Sequence, residues 1–142
     1  MNTIDHGQWD IYVPASLPEG APANALFARR QGDGVDWYDY VNDSSSFNPA
    51  YVKIAAFYRT ATSEYIVGPA VYDATEIFPG RVCIIHEVTD YAGSDPQADL
   101  GNKAFDPATG TFTDPIMPPS ALAVALQDMD KRFAALEARQ KE

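Results

Sequence analysis

Two histidines, one cysteine and a cluster of aspartates are the residues of this chain with the clearest capacity for chemistry. The aspartates lie in "RRQGDGVDWYDYV", Arg29 to Val41, where Asp33, Asp36 and Asp39 recur every third residue between two glycines and three large aromatics. A calcium loop of the EF-hand type needs acids at alternate positions, then a glycine, then a distant glutamate. That pattern is absent, and no metal site is expected. Trp37 and Tyr38 are candidate glycan contacts, because aromatic faces stack on sugars and nearby carboxylates bind hydroxyls. The plainer expectation is a hairpin of strand, glycine turn and strand. On such a strand Asp36, Tyr38 and Tyr40 share one face, and Val35, Trp37 and Asp39 the other.

His6 and His86 lie far apart. With Cys83 they make a zinc site arithmetically possible, but their spacing fits no local zinc motif. Cys83 sits in the apolar run "RVCIIHEV" and reads as a small buried hydrophobe. His86 alternates with Ile85 and is expected on the less buried face. There is no G-x-S-x-G elbow, no phosphate-binding G-x-x-x-x-G-K and no G-x-G-x-x-G. Carboxylates that could pair as in a glycosidase are common in so acidic a chain. No catalytic residue, cofactor or enzymatic activity is therefore expected.

The acidity itself restricts partners. Twenty acids against ten Lys and Arg give a formal charge of −10, which repels nucleic-acid backbones and anionic membrane surfaces. No run of ~18 apolar residues could cross a bilayer. The start, "MNTIDHGQWD", lacks the basic and apolar segments of a signal peptide, so a cytosolic origin is expected.

The elements that must position these residues divide at about residue 116. A chain of 142 residues fits one domain with an appendage, and 46% apolar residues suffice for a core. Eleven prolines and nine glycines imply many turns. Strands are expected over Gln8–Val13, Ala25–Arg30, Val35–Val41, Ala50–Thr60, Glu64–Tyr72 and Arg81–Thr89. A helical turn or bend is expected within 73–80. A last hairpin joins Ala104–Phe105 to Thr111–Thr113 around "DPATG", with Pro107 and Gly110 as turn residues. Val82 to Ile85 give the Arg81–Thr89 strand four adjacent apolar residues, suited to burial on both faces. Short strands with no helices between them predict a mainly β fold: a small antiparallel sandwich or barrel-like domain over residues 1–116.

Residues 117–142 read as a Pro-Pro linker and an amphipathic, coiled-coil-like helix, with Ser120 as N-cap. Leu122, Leu126, Met129, Phe133 and Leu136 follow spacings of four, three, four and three. This is a heptad seam with Leu126 and Phe133 at a, and Leu122, Met129 and Leu136 at d. Asp130 and Glu137 fall at e, Arg132 and Arg139 at g, so Arg132 of one chain can reach Glu137 of a parallel neighbour. An isolated helix of this length is marginal in water and needs a partner. That partner is either its own β domain or another chain.

The segments "LFARRQGDGVDWYDY", "YDATEIFPGRVCIIHEV" and "GNKAFDPATGTFTDP", in that order, resemble small tail-associated proteins of tailed bacteriophages. The shared pattern is a glycine turn leading into aromatics, then F-D-x-x-T-G-x-F followed by prolines and a C-terminal helix. The resemblance lies in three separated pieces and carries no diagnostic motif or functional residue. It implies a virion protein, tail- or fibre-associated, assembled in the host cytoplasm. Its partners would be itself, as a homo-oligomer such as a trimer, and other virion proteins. Two further roles remain open: a tail-fibre assembly chaperone that leaves before completion, and a carbohydrate-binding receptor tip using Trp37 and Tyr38.

Overall fold

The computed structural model describes residues 1–117 and the backbone of 121–140, with side chains for 125–138 of that last segment. The described fold is mainly β. Seven strands form one antiparallel sheet: β1 (Thr3–Tyr12), β2 (Phe27–Arg30), β3 (Val52–Arg59), β4 (Glu64–Val71), β5 (Cys83–Val88), β6 (Ala104–Asp106) and β7 (Thr111–Thr113). Their order across the sheet is β2-β1-β5-β3-β4-β6-β7. One sheet holds them all, in keeping with the expected mainly β, antiparallel fold with a C-terminal helix.

The sheet curls. The ring of His86 on β5 meets that of Phe105 on β6 at 4.9 Å, although β3 and β4 lie between these strands. Three flat inter-strand steps would separate them by ~14 Å. The same curl brings the β6–β7 turn against the start of β1. There Gly110 has φ +70°, and a Cβ would collide with the Met1 carbonyl oxygen. The ladder does not close, and β2 and β7 remain its edges.

Both faces are covered. Inside the curl, Val52, Ile54 and Ala56 pack with Val67, Ala70, Ile84, Val88, Leu100 and Phe105. Leu100 comes from α2 (Pro96–Leu100), whose first turn is capped by Asp95 accepting from Ala98 N. On the other face Trp9, Ala28, Ala55, Cys83 and Ile85 pack beneath Trp37 and Ile77. Ile77 follows a 3₁₀ turn, Ala74–Glu76, where a helical turn was expected.

β5 is buried along its whole length, as its apolar run requires. The run starts one residue later than expected, since Val82 precedes the strand and is 45% exposed. His86 also departs from expectation. It is buried, because the curl folds Phe105 over the face it occupies.

The largest correction concerns 35–41. These residues do not form the second arm of a hairpin. Pairing with β2 stops at one bridge, Arg29 to Asp36, and the chain then enters α1 (Trp37–Asn42). Asp36 decides this. Its carboxylate accepts from the backbone N–H groups of Tyr38 and Asp39, satisfying donors that an α-helix leaves free. Helical spacing then sends Trp37, Tyr40 and Val41 together onto the sheet.

The last element, α3 (Ala121–Gln140), is a single helix, and among the described helices none is long and apolar enough to cross a membrane. The expected N-cap Ser120, the linker residues Pro118 and Pro119, and the side chains of Leu122 and Arg139 lie outside the described residues.

Ile85→Ala should destabilise the domain by about 2–5 kcal/mol, the usual range for a fully buried site. Val82→Ala, at an exposed position, should change stability by less than about 0.5 kcal/mol. Urea unfolding of both variants checks the register of β5, and equal effects would contradict it.

Candidate functional site

One group of titratable side chains is brought together inside the domain. β1 carries an irregularity between Asp5 and Gln8, where Gly7 takes φ +93° beneath the Arg30 side chain. This turns His6 inward. Its Nε2 lies 2.6 Å from Glu87 Oε1 and its Nδ1 2.6 Å from the Tyr40 hydroxyl. A neutral ring fits both contacts, with Nε2–H donating to the carboxylate and Nδ1 accepting from the hydroxyl. Glu87 Oε2 accepts from Asn48 N at 2.8 Å. Lys53 Nζ stands 3.9 Å from the same oxygen and donates to the carbonyls of Asn48, Tyr51 and Tyr72 at 2.6–2.8 Å.

A hydroxyl, an imidazole and a carboxylate in sequence have the order of an acid–base relay. Here, however, His6, Glu87 and Lys53 are 6%, 2% and 1% exposed, and their polar atoms are already engaged. Among the described residues no buried side-chain nitrogen or oxygen lacks a partner. The arrangement is a clasp that ties α1 and the 43–51 loop to the sheet. Burial pushes the Lys53 amine below its ordinary pKa, against the opposing pull of Glu87 and Asp73.

The residues singled out for metal or glycan binding are dispersed. Asp33 pairs with Arg30 at 2.7 Å, which lowers its pKa. Asp36 caps α1 and accepts from the Tyr12 hydroxyl, while Asp39 sits in the helix's first turn. Cys83 and His86 point to opposite faces of β5. Among the described residues no group of three His, Cys, Asp or Glu is placed to hold a metal. The glycan platform is corrected at Trp37, which is 2% exposed and donates its indole N–H to Ile77 O at 2.9 Å. A ring so enclosed offers no face for stacking. Tyr38 is exposed, but its hydroxyl is tied to Leu26 O.

The helical residues behave differently. Every described side chain of α3 is exposed. Leu126, Met129, Phe133 and Leu136 are 50–59% exposed, so this part of the seam is not packed on the chain's own β domain. Arg132 pairs within the helix, with Asp128 at 3.1 Å. Asp130 and Glu137 are likewise on the solvated surface.

Sequence reasoning missed the device that anchors this segment. The Ile116 N–H donates to both Glu64 carboxylate oxygens, at 3.1 and 3.2 Å. The Ile116 carbonyl accepts from Arg59 Nη2 at 2.7 Å, and Arg59 pairs with Glu64 at 2.9 Å. Opposite charges flanking a hairpin turn were visible in "RTATSE", but their shared partner lies more than fifty residues away.

Comparison with known families, curated proteins and solved structures finds no match for this chain.

Burial holds the His86 imidazole below its ordinary pKa of 6.5, with Asp5 acting in the opposite direction. The unfolded chain then binds the proton first, so stability falls as pH drops below 6.5. The carboxylates with lowered pKa values, such as Glu64, begin to contribute only below about 4.5. Melting temperatures of wild type and His86→Gln between pH 7 and 5 should show a shallower slope for the variant. Parallel slopes would remove His86 as a source of the pH dependence.

Proposed function

We propose that this protein is a non-enzymatic assembly component that joins copies of itself through α3 while its β domain contacts neighbours. The carrying observation is a twenty-residue helix whose described side chains are all solvent-exposed although four large apolar ones share a seam. Such a helix is marginal when isolated, and its seam matches the heptad pattern that packs against another helix.

Magnitudes limit what the helix does by itself. Full burial of a large apolar side chain contributes about 1.5–3 kcal/mol. The seam residues are already about half covered by their own helix, so roughly half of that remains to be gained on association. Ordering two chains costs an estimated ~4–15 kcal/mol. For four described seam residues on each of two chains these terms are of similar size, so contacts between β domains would supply the margin of stability.

The setting we propose, a tailed-phage virion with the protein tail- or fibre-associated, rests on the pattern resemblance in the sequence alone. Detection of the chain in purified particles would support a retained structural part. Its absence there would favour an assembly chaperone.

Light scattering should find the full chain oligomeric at tens of micromolar, and a version ending at Pro118 monomeric. Phe133→Asp places a charge in the seam of every copy and should dissociate the assembly, while circular dichroism of the β domain stays unchanged. A monomeric wild type would overturn the reading, as would a Phe133→Asp variant that remains fully associated.

A further inference from the structure

Two features deepen that reading, on which the following inference rests. The first is the anchor at Ile116. One residue, Ile116, is gripped on both its N–H and its carbonyl by the Glu64–Arg59 pair at the end of the β3–β4 hairpin. Arg59 is held in turn by donating its Nε–H to Thr62 Oγ1 at 2.8 Å. From this fixed point the side chains of Ile116 and Met117 project into solvent, 60% and 85% exposed. Five peptide links separate Ile116 from the first residue of α3, a span of at most ~18 Å.

The second feature is direction. In a parallel pair a g position faces the neighbour's e position, so Arg132 meets Glu137. In an antiparallel pair g faces g and e faces e. Arginine would then meet arginine and acid would meet acid. Charge complementarity therefore selects parallel copies, whose anchors all lie at the same end of the bundle. Adjacent helix axes there are ~8–10 Å apart. Ile116 and Met117 are the exposed apolar residues described nearest in sequence to the start of α3.

We propose that Ile116 and Met117, presented by the Arg59–Glu64 anchor, form a second self-interface, packing against the same step of another copy as a collar around the N-terminal end of the helical seam.

Engineered cross-linking tests this on the full chain. Cys83 is the chain's one cysteine. It is buried, and burial pushes its thiol up to about 12, so it stays silent. Met117→Cys should form a disulfide-linked dimer under mild oxidation, and Met117→Cys combined with Phe133→Asp should not. Met117→Asp should weaken association by about tenfold or more without altering the fold, since the position is exposed. If the wild type associates and Phe133→Asp dissociates it, but Met117→Cys does not cross-link and Met117→Asp associates normally, the collar is wrong and the helical reading stands. Equal cross-linking in the Phe133→Asp background also overturns the collar, because random collision would explain it. A wild type that is monomeric throughout removes both.

Discussion

A carboxylate in the middle of a sheet sets the terms for half of this structure. Glu87 lies on a strand buried along its whole length. Taking an ion out of water costs several kcal/mol unless partners replace its hydration. Each partner of Glu87 has a structural consequence. His6 reaches it because β1 breaks register and Gly7 adopts a backbone conformation closed to most residues. Asn48 reaches it because the loop after α1 folds back over the sheet. Lys53, one strand away, brings a compensating charge, and its ammonium in turn engages three carbonyls, two from the 48–51 turn and one, Tyr72, just after β4. Tyr40 closes the chain from α1. The outer face is thus organised by polar satisfaction as much as by the aromatic packing of Trp9 and Trp37.

The inner face is organised by curvature. Its apolar residues come from five strands or their neighbours, and the sheet bends until β5 and β6 touch through His86 and Phe105. The bend buries an imidazole in apolar surroundings and gives the domain its closest approach to a barrel. It also leaves two short edges. β2 is followed at once by the bridge to Asp36, and β7 is only three residues long. Short edges limit uncontrolled strand pairing, which matters for a chain proposed to associate through a different element.

What the sequence made legible follows from the range of each interaction. β3, β4, β5 and the β6–β7 hairpin carry local signals, namely apolar runs bounded by turn residues, and they stand where these signals put them. α1 was not legible from alternation. "VDWYDYV" satisfies a two-residue period nearly as well as a helical one, and a single cap at Asp36 tips the balance. That change of period also moved Trp37 from a surface platform into the core. The His6–Glu87 contact spans 81 positions, and no local pattern encodes it. The first strand begins at Thr3 and not at the expected Gln8, so Gly7 and the bulge beside His6 fell outside the strand that alternation marked.

The C-terminal helix reverses the usual relation between sequence and tertiary structure. Amphipathic helices normally hide their apolar face on their own domain. Here the chain is anchored at Ile116, at the end of a hairpin, and the described face of α3 stays in solvent. Both faces of the sheet are already covered, the inner one by the curl and α2, the outer one by α1 and the residues around Ile77. Among the described residues, the larger apolar clusters of the sheet are thus already covered by other parts of the chain. The described seam residues are not covered by the chain itself, and this exposure is what the proposed association rests on. In the proposed self-association, the charges beside the seam, acidic on one flank and basic on the other, would favour a parallel arrangement of copies.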